Sequence, residues 1–169
     1  MASNGDTILG MRRFTFGCIA VSLLLGGACA ETPMAGRGLN SAAKRFDRPP
    51  MNRANIYVYQ RRSDGDMELL LDGVHAANIV EHSFIVLPVW PGAHTLVARL
   101  KSAAPFGAKA DELEVHPGGG LNYFVELTTP ALGLVYREAS MEQIDSKKGE
   151  ADVRHCTLLA EVPPRLSPP

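Results

Sequence analysis

MELLLDGVHAANI, residues 67–79, decides the fold. Two short apolar runs flank Asp72-Gly73. Both turn positions tolerate positive φ, which is what a two-residue hairpin with right-handed twist demands. The spacing predicts one strand over 67–71 and its returning partner over 74–79. The same grammar extends in both directions. Upstream, ANIYVYQ (54–60) is dense in β-branched and aromatic residues. The polar segment 61–66 separates it from the hairpin. Downstream, SFIVLPV (83–89) is apolar on both faces, which places it centrally in a sheet. Pro91-Gly92 then supplies a turn, with Pro presetting φ and Gly taking the left-handed corner.

The pattern continues with strands over 94–101 and 111–116. In the second of these Leu113 and Val115 alternate with Glu112, Glu114 and His116. Pro117-Gly118-Gly119-Gly120 reads as a flexible hairpin tip, and 121–128 as the strand beyond it. A less regular strand covers 133–144. Asp145 is placed to cap a short helix reaching about His155. Gly149 inside that helix costs roughly 1 kcal/mol against Ala by propensity. Turn signals recurring about every ten residues between short strands indicate a sandwich or barrel. The expected fold is all-β, a single antiparallel sandwich of about seven or eight strands over 53–160, closed by a short C-terminal helix.

The flanks read differently. Arg12 and Arg13 precede an apolar run from Phe14 to Leu25, and small residues follow as far as Cys29. That is the layout of an export signal over 1–30, with Met11 as the expected start. The run is too short for the roughly twenty residues of a membrane-spanning helix. Two processing outcomes stay open. Leu25-Gly26-Gly27-Ala28-Cys29 is similar to a lipobox, in which the Cys29 thiol takes a diacylglycerol. Ala28-Cys29-Ala30 also fits ordinary cleavage after Ala30. Residues 31–52 carry Pro33, Gly36, Gly38, Pro49 and Pro50 without sustained apolar period, and read as a flexible linker. Arg37, Lys44, Arg45 and Arg48 within it suggest a solvated tether or contact with anionic headgroups. Residues 161–169 form a proline-rich tail.

Formal net charge is −1 over 169 residues, so the whole molecule makes no case for nucleic acid. Cys18 and Cys29 fall within the export segment. Cys156 is then the single thiol of the mature body, which rules out an intrachain disulfide.

Ile56-Tyr57-Val58-Tyr59, Leu71-Asp72-Gly73, Pro91-Gly92-Ala93-His94-Thr95-Leu96, and Pro117-Gly118-Gly119 leading to Asn122-Tyr123-Phe124-Val125 together resemble a bacterial envelope lipoprotein family of unknown function. The Asp-Gly turn and the Pro-Gly-x-His-Thr stretch also resemble PEGA-type β-sandwich surface domains. His155-Cys156 sits where that family ends a late helix. Glu81-His82 replaces its usual Asn-Gly before the central strand. The resemblance covers about 53–159 and implies an envelope domain without assigned chemistry.

Candidate reactive groups are sparse. His75, His82 and His94 would form a metal site only by converging across strands, since no linear spacing selects them. His155 and Cys156 are neighbours, a poor geometry for a nucleophile pair. Gly118-Gly119-Gly120 lacks the Lys-Ser/Thr and the helix of a phosphate loop. Asp111, Glu112 and Glu114 read as solubilising. Tyr57, Tyr59, Trp90 and His94, with Phe106, are the candidates for a binding surface. The expectation is a non-enzymatic cell-envelope module, lipidated at Cys29, facing the periplasm and carried to the outer membrane. Its partners are the membrane, through the lipid, and a protein or cell-wall component. No cofactor or metal is expected. A secreted hydrolase, or a soluble periplasmic small-ligand binder, is the alternative.

Overall fold

The computed structural model describes residues 32–62, 65–101, 110–129, 131–132 and 136–161. Residues 1–30, expected as an export signal and including Cys29, lie outside these residues, as do Phe106 and the tail beyond 161. Helix α1 spans Arg37–Ala43. Strands β1 (Ala54–Gln60), β2 (Met67–Leu71), β3 (Val74–Ile79), β4 (Ser83–Val89) and β5 (His94–Leu100) follow. Then come β6 (Asp111–Val115), β7 (Asn122–Thr128), β8 (Ala131–Leu132), β9 (Tyr136–Arg137) and β10 (Ser140–Ile144). Helix α2 (Ser146–Val153) and β11 (Thr157–Leu158) close the chain.

Two sheets stack as a β-sandwich. One has the order β10-β7-β1-β4-β11 and the other β3-β2-β5-β6, while β8 and β9 form a separate pair. The alternation read from the sequence has its physical counterpart here. Ile56 and Val58 of β1, Leu69 and Leu71 of β2, Ile85 and Leu87 of β4, and Leu96 and Ala98 of β5 all face one another between the sheets. The hairpin at Asp72-Gly73 forms as expected, with φ of 51° and 78°, and Leu71 pairs with Val74. Its ladder slips between Leu69 and Leu70, so Ala76 and Ala77 are both buried. His82 takes φ 55° in the turn before β4, a left-handed conformation uncommon for residues other than glycine.

Pairing is mostly antiparallel, but β1 runs parallel to β7, and β11 parallel to β4. A parallel neighbour needs a long connection. Between β1 and β7 the chain visits β4 of the same sheet and builds the entire second sheet. Pro117–Gly120 is therefore a crossover between sheets, not the flexible hairpin tip of the sequence reading. It is tied down: Gly118 N donates to Tyr123 Oη at 2.8 Å, and Gly120 N to the Arg53 carbonyl at 2.7 Å.

The outer face of the five-stranded sheet is covered by a third layer. Tyr57, Tyr59, Phe84 and Phe124 project from it toward α1 and α2, joined by Phe46, Val153 and Cys156. Residues 31–52, expected as a flexible linker, belong to this layer from Pro33 onward. Ala35 N donates to the Leu158 carbonyl at 2.8 Å, and Ala160 N to Pro33 at 2.9 Å. Asn40 Oδ1 accepts from Leu158 N, and Asn122 Nδ2 donates to the Phe46 carbonyl. Phe46 is buried against Tyr57 and Phe124, with ring centroids 5.4 and 5.8 Å away. Few apolar residues hold this segment, and all act at long range, so no local period announces them.

Helix α2 begins as expected, with the Asp145 carboxylate accepting from Lys148 N at 3.0 Å. Gly149 has a positive reason to be there. A Cβ at that position would lie 2.3 Å from Phe124 Cγ. The helix approaches the sheet closely because the residue beneath has no side chain. Gly149→Ala is expected to destabilise the protein by up to about 2 kcal/mol, since overpacking against Phe124 costs about 1–3 kcal/mol against a propensity gain of about 1. Urea denaturation checks the sign.

Candidate functional site

The helix layer leaves one side of the aromatic face open. Between α1 and the β4–β11 edge lies an apolar groove with a cavity volume of about 530 Å³. Met34, Leu39, Ala43, Tyr57, Val86 and Leu158 line it. Leu39 is 67 % and Met34 44 % exposed at its mouth. The polar groups near it are engaged. Tyr57 Oη donates to the Ala43 carbonyl at 3.1 Å. Burial, with the charges of Asp47 and Glu150, pushes the Tyr57 phenol up to about 12. At the rim, the Glu161 carboxylate accepts from Asn78 N at 3.0 Å and Asn78 Nδ2 at 3.3 Å.

A second, polar cluster sits under α2 at the C-terminal end of β1. Asp152 is buried and accepts from Tyr59 Oη at 3.1 Å, Arg61 at 2.7 Å and Lys148 Nζ at 2.9 Å. Lys148 also reaches Glu126 at 2.9 Å. Burial by itself pushes Asp152 up. The hydrogen bonds from Lys148 and Tyr59 and the charges of Lys148 and Arg61 outweigh it and hold the carboxyl below its ordinary range. Hydrogen bonds to Glu126 and Asp152 raise Lys148. Burial first, then the nearby Glu126 and Asp152, raises Tyr59. A shallow pocket of about 290 Å³ beside the cluster is lined by Arg61, Arg62, Glu126 and Thr128. This is a structural clamp: a carboxylate, two cations and a phenol that satisfy one another and fasten α2 to the sheet.

Cys156 is buried next to this clamp, and burial pushes its thiol up to about 11. The thiolate is the nucleophile, so the protonated form present at neutral pH is unreactive. His155 is exposed while Cys156 is covered, so the neighbours do not face each other.

The four residues considered for a binding surface separate. Tyr57 and Tyr59 are 3 % and 0 % exposed, because β1 is the central strand and its outer face lies under the helices. They correct that reading: neither offers an open surface, though Tyr57 forms part of the groove wall. Trp90 lies at the β4–β5 turn, half-buried, with the Arg53 guanidinium 3.5 Å from its ring centroid. His94 packs beside it. Its Nδ1 lies 2.7 Å from Asp72 Oδ2 and its Nε2 2.8 Å from the Trp90 carbonyl. Asp72 Oδ1 accepts from Thr95 N at 2.9 Å. His94 thus locks the β2–β3 turn to the start of β5.

His75 and His82 are exposed on β3 and in the β3–β4 turn. Among the described residues no group of three His, Cys, Asp or Glu side chains is arranged to hold a metal ion. Asp111 accepts from Met141 N, and exposed Glu114 pairs with His116 at 3.2 Å. Sequence reasoning missed Asp152, Arg61, Lys148 and Glu126. The one local trace was the i,i+4 spacing of Lys148 and Asp152. It also missed Met34 and Leu39, whose segment carries no period.

No family model matches the chain, and no curated protein matches it significantly. Among the described residues no helix is long and apolar enough to cross a membrane.

The clamp makes stability pH-dependent. The folded Asp152 carboxyl lies below its ordinary value of 3.8. Its contribution is therefore present above that value and lost as pH falls through the folded one. Asp152→Asn is expected to cost about 2 kcal/mol at neutral pH, discounted for the exposure of Arg61 and Lys148. It is also expected to flatten the loss of stability on acidification below about pH 4. Urea midpoints measured from pH 3 to 7 check both.

Proposed function

We propose that this chain is a non-enzymatic binding module of the bacterial cell envelope, exported by residues 1–30 and tethered through a lipid on Cys29. The observation that carries the binding role is the open apolar groove beside α1. Its volume of about 530 Å³ falls within the range of ligand-binding cavities, and its lining is mainly apolar. The export-signal layout of 1–30 and the resemblance of 53–159 to an envelope family support the compartment. The reactive side chains support a binding role over hydrolysis. Asp152 is fully occupied by its partners, the Cys156 thiol is protonated and buried, and His94 is engaged by Asp72 and Trp90.

Two measurements test this. Palmitate-analogue labelling in cells is expected for the wild type and absent in Cys29→Ala; an unlabelled wild type overturns the tether. Binding of the apolar fluorophore anilinonaphthalene sulfonate to the folded protein is expected, and Leu39→Asp at the groove mouth is expected to weaken it at least tenfold. Equal binding by the variant overturns the groove as a binding site.

A further inference from the structure

We infer that the groove and the basic segment beside it form a membrane-docking face, whose occupant is the acyl region of an anionic bilayer. The inference rests on the groove being the binding site, and names what fills it.

The first ground is reach. Among the described residues Pro33 is the first tied to the sheet edge: its carbonyl accepts from Ala160 N, and Met34 pairs with Leu159. Four Cα steps separate Cys29 from Pro33 in the sequence. At roughly 3.5 Å per residue they span at most about 14 Å. A lipid on Cys29 therefore holds the groove, which Met34 itself lines, at the bilayer surface. Had 31–52 been a free linker, no face would have been selected.

The second ground is charge. Residues 36–48 contain Arg37, Lys44, Arg45 and Arg48 against Asp47 alone. Arg45 is paired with Asp47 at 3.0 Å, and Lys44 Nζ donates to the Arg154 carbonyl. Arg37 and Arg48 are exposed, and Arg37 directly follows Gly36 of the groove lining. Basic residues flanking an apolar surface suit anionic headgroups.

The third ground is the chemistry of the lining. Met34, Leu39, Ala43, Val86 and Leu158 are aliphatic or thioether groups. The Tyr57 hydroxyl and the Glu161 carboxylate already have partners. A peptide or a saccharide would bury polar groups against this apolar lining, at roughly 5- to 150-fold of affinity lost per unpaired group. An acyl chain buries none.

Both core clusters and every contact described above lie within 32–161, and the chain from Glu31 onward is one compact unit. The test therefore uses the domain beginning at Glu31, without the apolar export segment that would itself enter a bilayer. Co-sedimentation is expected with phosphatidylglycerol vesicles and is expected to be much weaker with phosphatidylcholine. Arg37→Ala is expected to weaken it about fivefold, in line with the contribution of one basic residue near the surface. Leu39→Asp is expected to abolish it; Leu39 is exposed, so the fold survives. Leu39→Trp fluorescence is expected to be quenched by brominated acyl chains.

Sedimentation without that quenching means headgroup contact alone and overturns the acyl seat. A dimer in solution that Leu39→Asp dissociates assigns the groove to a second copy and overturns the proposal. So does fluorophore binding without vesicle binding, which leaves the groove as a binding site. Loss of both removes the binding reading as well.

Discussion

Everything in this domain hangs on β1 being buried on two sides at once. Ile56 and Val58 enter the core between the sheets, while Tyr57 and Tyr59 enter the layer between sheet and helices. A strand with one wet face needs a single partner layer. This one needs two, so the helices are obligatory rather than decorative. Stacked aromatics make the second layer dense: the Tyr57 and Phe124 rings are 5.0 Å apart and nearly parallel. Full burial of each such ring is worth roughly 1.5–3 kcal/mol, which short helices like these do not supply from backbone propensity alone.

Burying two tyrosines imposes a second constraint. A buried hydroxyl without a partner is costly, so each must find an acceptor. Tyr57 finds the Ala43 carbonyl at the end of α1, and Tyr59 finds Asp152 in α2. Each helix is thus pinned by one tyrosine of the same strand. Asp152, buried in turn, recruits Arg61 and Lys148. Gln60, between Tyr59 and Arg61 in sequence, keeps its Oε1 buried without a hydrogen-bond partner among the described residues. Cys156 fills the remaining space as a small apolar group, its sulfur 3.8 Å from the Gln60 carbonyl oxygen.

The two helices cover the aromatic face unequally. Helix α2 comes close enough that only glycine fits over Phe124, and it is fastened by a charged network. Helix α1 has seven residues, no side-chain cap and no buried residue. It spans the sheet loosely and leaves the groove beside it. The chain enters the fold at the same edge, because 33–35 pairs with 158–160. Residues 34–35 and 158–160 also line the groove, so this edge and the groove coincide by topology.

Local chemistry in the sequence determined β1 to β7, the Asp72-Gly73 hairpin, the Asp145 cap and the central character of 83–89, but not the division of the expected strand 133–144 into β9 and β10, nor β8 and β11. Alternation, turn stereochemistry and capping are properties of neighbours within a few residues, and such neighbours can be read in a line. It did not determine the parallel β1–β7 pairing, the crossover at Pro117–Gly120, the packed state of 33–48 or the purpose of Gly149. Nor did it show that Tyr57 and Tyr59 lie under helices, since an outward-facing aromatic looks the same whether water or a helix covers it. Those features depend on which distant segments meet. Asp152 lies 93 residues from Tyr59, and Leu158 118 residues from Asn40. Only closure of the chain brings them within hydrogen-bonding distance.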